Sequence, residues 1–311
     1  MAATRQRPAA FDHRLVTRLV LTLGALIISA TASADGIKVT DDAGRAVRLD
    51  EPAQRVVSLA PHATELLFAV GAGERIVGAV DHSDYPPEAK KIPRVGGYDG
   101  VDIERIVSMN PDLVVAWGSG NGDATIQRLK ALDLTVFVNE PRSLSDIAHS
   151  LERLGALTGN DTQGTEAADA LRGRRTQLHE RYAKRPTVTV FYEVWHDPLM
   201  TVSDKHLISE IIRLCGGRNV FADLGSRVPT IDTEAVLGAE PEAIIASGMG
   251  SERPEWLDAW RDWQDLPAVQ RGNLFHIPPS QTQRAGPRLL DGAERLCEQL
   301  ETARERRPEA P

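Results

Sequence analysis

Short apolar runs alternate with helical segments in two separate parts of the chain, and this alternation constrains the fold more than any other feature. The runs are typical of buried strands, and strands that alternate with helices form parallel sheets. A charged helical stretch over 165–184 separates the two parts. The sequence therefore predicts an α/β fold of two lobes, each a small parallel sheet flanked by helices. A single long helix bridges the lobes, and we expect a ligand cleft between them.

The predicted organisation divides the 311 residues into five segments. They are a signal peptide (1–34), an N-terminal α/β lobe (35–142), linking helices that include the backbone helix (143–186), a C-terminal α/β lobe (187–303) and a flexible tail (304–311). The first lobe opens with a hairpin pattern over 37–50. The tail is charged and contains proline, so we expect it to be loose. We find no short internal repeat.

The N-terminus has the three parts of a secretory signal peptide. Four arginines precede an apolar run from Leu19 to Ala30, and Ala32-Ser33-Ala34 provides a small-x-small cleavage site. The alternative is a membrane anchor, but the run is about a dozen residues long and a bilayer span needs about 20. The pattern therefore predicts export to the periplasm and cleavage before Asp35.

The charge of the chain restricts its partners. Removing residues 1–34, which hold four arginines and one aspartate, takes the net charge from −8 to −11. A general nucleic-acid binder needs a basic surface, so we expect no nucleic-acid partner. We expect an acidic protein that works as a monomer.

Common catalytic and cofactor motifs are absent from the sequence. There is no Gly-x-Gly-x-x-Gly, no P-loop, no Gly-x-Ser-x-Gly and no His-Glu-x-x-His. The eight histidines are scattered, and a zinc site needs three or more converging ligands. We therefore expect no resident cofactor, no metal site and no catalytic residue. His82 is the one histidine that we single out, because it follows a predicted strand in a loop.

The two cysteines, Cys215 and Cys297, lie in predicted helices far apart in the sequence. In an exported protein a lone pair favours a disulfide, although two buried free thiols would also satisfy the pattern.

Aromatic residues are few, so their positions carry weight. Tyr85, Tyr98, Trp117 and Trp195 lie at or just beyond predicted strand ends. Such positions face the ligand crevice of open α/β sheets, where flat rings suit a large planar ligand. The alternative for Trp117 and Trp195 is that they cap the core. Three tryptophans at helical spacing (256, 260 and 263) are predicted to serve packing.

Several long blocks of sequence resemble the periplasmic cobalamin-binding proteins of ABC importers, within the helical-backbone (class III) substrate-binding proteins that also carry siderophores and haem. The blocks are RVVSLAPHATELLFAVG (55–71), SDYPP (83–87), DIERIVSMNPDLVVAWG (102–118), CGGRNVF (215–221) and RAGPRL (284–289). The resemblance covers nearly all of residues 55–300. It implies two lobes on a rigid helix, little closure on binding, and a corrinoid held against aromatic rings.

The resemblance also assigns ligand contacts. In the first lobe they are His82, where the family has Tyr, and Tyr98 and Trp117, both at Trp positions. In the second lobe they are the loop Ser280, Gln281, Thr282, Gln283 and Arg284. Ser280 replaces an acidic residue, Thr230 replaces Trp and Met200 replaces Phe. Trp195 and His196 are candidates to compensate, and an imidazole is a possible ligand for the metal of the cargo.

The resemblance further implies a partner and a cross-link. Glu104 and Glu234, one on each lobe, match the carboxylates that dock on arginines of the membrane permease. Paired negative charges fix the register of a large transient interface and speed encounter. Alternatively, each is an ordinary first-turn glutamate that interacts favourably with the helix dipole. Cys215 and Cys297 fall on the disulfide positions of the family.

Three functions follow from these observations. The first is capture of cobalamin or a related corrinoid and its delivery to an ABC permease with its ATPase. The second keeps the fold and carries haem or a ferric siderophore, for which Arg284 and Arg94 are the cationic candidates. The third is a secreted enzyme, which requires a converging nucleophile or acid–base pair that the sequence does not show.

Overall fold

The computed structural model describes residues 1–4, 36–97, 99–248 and 250–308. The predicted signal peptide lies almost wholly outside these residues, as does Tyr98. Within the described part, no helix has the length and apolarity that a membrane crossing needs.

The first lobe begins with the predicted antiparallel hairpin and continues into a parallel four-stranded sheet. Its strands are β1 (Ile37–Thr40), β2 (Ala46–Leu49), β3 (Val56–Ser58), β4 (Ile76–Ala79), β5 (Gly96–Gly97), β6 (Gly100–Val101), β7 (Leu113–Trp117) and β8 (Val136–Asn139). Its helices are α1 (Pro61–Ala69), α2 (Ile103–Ser108), α3 (Gly118–Asn121) and α4 (Asp123–Ala131). The sheet has the order β4-β3-β7-β8. Strand β3 is wholly buried, which explains its unbroken apolar sequence.

Two antiparallel helices link the lobes. They are α5 (Leu144–Leu157) and α6 (Asp161–Tyr182), so the long helix begins earlier than the predicted residue 165. Ser143 caps α5 by accepting a hydrogen bond from the Asp146 N–H at 3.1 Å. The helices approach so closely that a Cβ on Gly164 would lie 2.8 Å from the Leu151 carbonyl oxygen and 3.0 Å from the Gly155 Cα. Glycine at both positions therefore sets the distance between the two helices.

The second lobe repeats the parallel sheet with the order β10-β9-β11-β12. Its strands are β9 (Val188–Glu193), β10 (Gly217–Asn219), β11 (Ala243–Ala246) and β12 (Leu274–His276). Its helices are α7 (Leu207–Leu214), α8 (Thr233–Ala239), α9 (Pro267–Gln270), α10 (Pro279–Thr282) and α11 (Leu289–Glu305), with a 3₁₀ turn over Glu255–Asp262. The sequence interpretation misses β10 because the strand is short and begins with a glycine that is typical of a helix end.

One apolar core runs through both lobes and the linking helices. It includes Leu66 of α1, Leu151 of α5, Ile211 of α7 and Leu296 of α11. A separate cluster covers the other side of each sheet, around Val114 in the first lobe and around Ile244 in the second. The two lobes and the linking helices therefore share one continuous core.

The three tryptophans predicted to pack behave differently from one another. Trp260 is buried and contacts Phe191 edge to face, with ring centroids 5.6 Å apart, as predicted. Trp263 is 44% exposed, so the prediction is wrong for this residue. Trp256 is half-buried and its ring stacks on His196.

The C-terminal end of the chain is held more firmly than the sequence indicates. Cys215 and Cys297 form the predicted disulfide between the end of α7 and helix α11. Helix α11 continues to Glu305, and the Arg304 guanidinium donates to the carbonyl oxygens of Pro186 and Cys215 at 2.7 and 2.8 Å. Arg307 pairs with Glu242 at 2.9 Å. The charged side chains of Arg304 and Arg307, which suggest solvent exposure in the sequence, thus have carbonyl and carboxylate partners, and whether the tail is loose stays a prediction.

Candidate functional site

The carboxyl ends of both parallel sheets meet at an interlobe cavity, which is where open α/β sheets place ligands. The cavity has a volume of about 70 Å³. From the first lobe it is lined by His62, Trp117 and Glu140, and from the linker by Pro141 and Arg142. The second lobe contributes Lys205, His206, Leu207, Arg227, Thr282, Gln283 and Ala285. Of the predicted ligand contacts, Trp117, Thr282 and Gln283 line this cavity.

Trp117 ends strand β7 and is the exposed aromatic ring of the cavity. It is 37% exposed and packs against the His62 ring in a T-shaped arrangement, with ring centroids 5.4 Å apart and an interplanar angle of 88°. A ring that is fixed from one side and open on the other can stack on a planar ligand. The observed exposure disagrees with the alternative in which Trp117 only caps the core.

His62 is a site residue that sequence reasoning missed. It lies in the first turn of α1, is only 4% exposed, and its Nε2 has no hydrogen-bond partner among the described residues. Burial lowers the pKa of His62 to about 4, although Glu140 and the Asn139 amide act in the opposite direction. The imidazole is therefore neutral at physiological pH. The one available signal in the sequence is the position of Pro61-His62 directly after a buried strand.

A second aromatic group lies at the end of β9 in the other lobe. The His196 ring stacks on Trp256 with centroids 5.1 Å apart, and Nδ1 is 2.9 Å from the Glu193 carboxylate. The second oxygen of Glu193 accepts from Trp260 Nε1 at 2.7 Å. Burial raises the pKa of Glu193, and the hydrogen bonds from His196 and Trp260 oppose this in part.

The neighbouring Trp195 is held by its own loop. Its Nε1 donates to the Asp197 carbonyl oxygen at 2.7 Å, and the residue forms an isolated bridge with Met200. His196 and Trp195 thus occupy a fixed loop at the carboxyl edge of the second sheet, and whether either contacts a ligand stays a prediction.

Arg284 links the two lobes instead of pointing freely at a ligand. Its guanidinium donates to Glu65 at 3.0 Å, to Asp84 at 2.7 Å and to the His82 carbonyl oxygen at 3.0 Å. Partial burial acts to raise the pKa of Asp84, but the hydrogen bond and charge of Arg284 outweigh it, so the pKa lies below its usual value. The first-lobe carboxylates therefore already neutralise Arg284.

Two predicted first-lobe contacts lie around this ion pair. His82 has a left-handed backbone (φ 61°) and is exposed. Tyr85 lies under the Arg288 guanidinium at 3.9 Å, and Arg288 also donates to Glu65. Tyr85 lines a different cavity, of about 420 Å³, between α1, α6 and α11. The structure therefore does not bring Tyr85 together with Trp117.

The predicted second-lobe loop forms the short helix α10 and the residues after it. Thr282 is buried and its hydroxyl accepts from the Tyr192 hydroxyl at 2.8 Å, while Gln283 donates to the Ser247 hydroxyl at 3.0 Å. Gln281 has a buried amide oxygen without a partner among the described residues, and Ser280 is half-buried. Thr282 thus fills a structural position at the cavity wall, and Gln283 is the more exposed of the two.

Glu104 and Glu234 occupy matching places on the two lobes. Each is exposed and lies in the first turn of a helix whose N-cap is an aspartate. Asp102 accepts from the Arg105 N–H at 2.9 Å, and Asp232 accepts from the Ala235 N–H at 2.8 Å. Because the aspartates already cap the helices, neither glutamate is needed as a cap.

Among residues 36–97, 99–248 and 250–308, no group of three or more His, Cys, Asp or Glu side chains is arranged to hold a metal ion.

Comparison with known proteins places these features in a family. Residues 56–281 match the family model described as periplasmic binding protein. The vitamin B12-binding protein of Vibrio cholerae is 35% identical over 253 residues, which is 81% of this chain and 91% of that protein. The crystal structure of the periplasmic vitamin B12 binding protein of the same species has a TM-score of 0.75 and covers 82% of this chain and 99% of that one. A periplasmic heme-binding protein from Roseiflexus sp. RS-1 shares the fold at 24% identity, with a TM-score of 0.71 and coverage of 81% and 99%. This chain belongs to the periplasmic binding protein family.

Proposed function

We propose that the protein is exported to the periplasm, captures cobalamin or a related corrinoid between its lobes, and delivers it to an ABC-transporter permease with its ATPase. The observation that carries this proposal is the 35% identity to a vitamin B12-binding protein over 91% of that protein's length. The protein acts as a carrier, works as a monomer and performs no chemistry on its cargo.

The site supports capture of a planar ligand by rigid surfaces. Trp117 offers one open aromatic face at the first sheet, and the stacked His196 and Trp256 rings lie at the edge of the second. The lobes share a core and are tied by Arg284 and Arg288 to the buried Glu65, which favours binding with little closure. Preorganised surfaces lose little conformational entropy when a ligand binds.

The two cationic candidates for a siderophore site are occupied by the protein itself. Arg94 donates to the carbonyl oxygens of Ser83 and Ala89, and Arg284 is paired with Glu65 and Asp84. A ferric siderophore with anionic metal ligands would compete with these contacts. A corrinoid, whose ring substituents are mostly neutral amides, needs neither Arg94 nor Arg284 as a partner for its ring.

Binding should be tested with protein purified from the periplasm after export of the full-length chain. We expect calorimetry to show one cyanocobalamin bound per chain at submicromolar affinity, and N-terminal sequencing to show cleavage before Asp35. Haemin and a ferric hydroxamate are titrated in parallel. A Soret shift with haemin and no heat with cyanocobalamin would overturn the proposal.

The aromatic contact has a matched control within the chain. Trp117→Ala should weaken cyanocobalamin binding about 10-fold because the stacking face is lost. Trp263→Ala removes a tryptophan of similar exposure (44% against 37%) that does not line the cavity, and it should leave binding unchanged. Equal effects of the two substitutions would show that Trp117 does not contact the ligand.

A further inference from the structure

The interlobe cavity is cationic although the chain as a whole is acidic. Arg142, Lys205 and Arg227 line it, and Glu140 is the one carboxylate among its lining residues. Glu140 is already engaged, because it accepts from the Ser119 N–H at 2.7 Å and the Ser119 hydroxyl at 3.1 Å. Its distance to the Arg227 guanidinium is 3.4 Å, at the long end for an ion pair of this kind. The Lys205 ammonium donates to the Gly225 carbonyl oxygen at 2.6 Å, which occupies one of its three protons and leaves its charge unneutralised. The three positive charges therefore exceed the negative charge available to them.

His206 adds a neutral donor to the same wall. Its Nδ1 accepts from the Ile208 N–H at 3.1 Å and so caps α7. Burial and the charge of Arg227 lower the pKa of His206 to about 4. In the neutral ring that results, the proton must reside on Nε2, which makes that nitrogen a hydrogen-bond donor.

His62 gives an independent indication that a polar group is missing from this cavity. It is more than nine-tenths buried, and its Nε2 has no partner among the described residues. A buried polar nitrogen without a partner is costly, and such groups are rare unless a ligand or water satisfies them. The donor side chains and the unpartnered nitrogen line one cavity.

The size of the cavity limits what can enter it. A volume of about 70 Å³ is several times the roughly 10–15 Å³ that one water molecule needs. It has room for a single tetrahedral or planar oxyanion group. A corrin ring is larger than this space, so we place the ring in the open part of the cleft, against the exposed face of Trp117, with one anionic substituent inserted.

We propose that this cavity is an oxyanion subsite, formed by Arg142, Lys205, His206 and Arg227, that receives the phosphodiester of the nucleotide loop of a corrinoid. This inference rests on the proposed function, because the subsite names the chemical group of the cargo by which the protein distinguishes one corrinoid from another. The phosphodiester is the anionic group of a cobalamin whose side chains are amides. The subsite therefore selects complete cobalamins over corrinoids without the nucleotide loop.

A ligand-truncation cycle tests the subsite. Wild-type protein and the double variant Lys205→Gln/Arg227→Gln are titrated with cyanocobalamin and with dicyanocobinamide, which has the corrin ring but no nucleotide loop. We expect the wild type to prefer cyanocobalamin, and the double variant to lose about 10-fold or more in affinity for that ligand alone, because charge-assisted hydrogen bonds are lost. Arg218→Gln, at an exposed position on β10, removes a charge elsewhere and should change neither affinity.

The outcomes distinguish a failure of the subsite proposal from a failure of the proposed function. If neither corrinoid binds the wild type, the proposed function fails. If both bind but the double variant weakens them by the same factor, or the wild type has no preference, the phosphodiester assignment is wrong. Unchanged cobinamide binding shows that the variant is folded. If the double variant does not fold, the same two titrations are made with Arg142→Gln, which changes an exposed residue. We expect this variant to lose the preference for cyanocobalamin over dicyanocobinamide in the same way.

Discussion

The two lobes contain the same strand-and-helix unit at a constant spacing along the chain. Asp102 and Asp232 cap corresponding helices, and the helices end before residues with left-handed backbones, Asn110 (φ 45°) and Glu240 (φ 44°). The strands that follow are β7 and β11. Alternate residues of each strand enter the shared core, as Val115 and Ile245 do. The residues between them enter the outer cluster of their own lobe, as Val114 and Ile244 do.

The lobes differ at the carboxyl end of the strand that pairs with β7 in the first lobe and with β11 in the second. At this point the chain turns toward the cleft. In the first lobe, Leu59 follows β3 and is buried among aliphatic side chains. At the matching place in the second lobe, β9 ends in Glu193, a buried carboxylate between His196 and Trp260. The scaffold is therefore duplicated while the cleft surfaces are not. A duplicated scaffold suits two equivalent contacts with a partner, and unlike cleft surfaces suit an asymmetric ligand.

The largest expected effect comes from removing Glu104 and Glu234, which we propose as the carboxylates that dock on the permease. If they dock there, Glu104→Ala/Glu234→Ala should reduce uptake of labelled cyanocobalamin in the native host by more than about 10-fold, because two charged contacts are lost. Binding of cyanocobalamin to the purified protein should not change. If the lobes contribute equally, the two single variants have equal intermediate effects. The control Glu180→Ala removes an exposed carboxylate of α6 and should leave uptake intact.

Two results would contradict this assignment. A loss of ligand binding in the double variant would place the carboxylates at the cleft. A strong effect of one single variant with none of the other would show that the structural symmetry of the lobes is not used in docking.

The next effect is the pH dependence of stability that His62 of the first lobe confers, which has the opposite sign to that of Glu193 in the second lobe. Its pKa is about 4 in the folded protein, because burial outweighs the opposing charge of Glu140, whereas in the unfolded chain it lies near 6.5. The unfolded state therefore binds the extra proton, so stability from this group is complete above pH 6.5 and is lost as the pH falls toward 4. Between pH 7 and pH 4.5, the wild type should lose about 2 kcal/mol more unfolding free energy than His62→Gln. Urea denaturation at both pH values measures this, and parallel losses would refute it.

The linking helices test whether the lobes behave as one unit. At Gly164 a Cβ would meet backbone atoms of α5, so Gly164→Ala should force the helices apart and destabilise the protein by about 1–3 kcal/mol. Gly173 lies in the same helix with no atom within 4 Å of the position that a Cβ would take, so Gly173→Ala should stabilise by up to about 1 kcal/mol. Thermal unfolding of the pair gives the comparison. A second transition in Gly164→Ala would show that the lobes separate, while equal shifts would show that the helix contact is not tight.

Much of the fold is predictable because it depends on local patterns. The apolar run at Leu113–Trp117 and the helix over Leu144–Leu157 lie where the sequence indicates, since burial and capping leave clear signals. Sequence analysis does not detect the repeated unit, because its two copies share residue classes and backbone conformation but no short identical motif. The contacts of Arg304 are likewise hidden from the sequence, because its partners are carbonyl groups from distant segments.

The candidate site is less predictable than the fold. Trp117 is identified from sequence because aromatic residues at strand ends are informative by themselves. His62, Lys205 and Arg227 are missed because their importance depends on a cavity that only the packed lobes create. Arg284 is assigned to the ligand, yet its charge is met by Glu65 and Asp84 of the other lobe. Pairing between distant residues decides whether a charge is available, and one sequence does not show it.

The smallest expected effect concerns Glu193, and its sign is opposite to that of His62. Burial raises the pKa of Glu193, so the folded state holds its proton to higher pH than the unfolded state does. The stability from this group is complete below the unfolded pKa, near 4.3, and is lost as the pH rises through the raised folded value. Glu193→Gln keeps acceptor capacity for the Trp260 N–H and removes the titration. The unfolding free energy of the wild type relative to this variant should therefore fall as the pH rises from about 4.3. Leu59→Met, at the matching place in the first lobe, should show no pH-dependent difference from the wild type, since no titrating group is changed. A constant difference between wild type and Glu193→Gln at every pH would mean that Glu193 titrates normally, and the buried charge would then not distinguish the second lobe from the first.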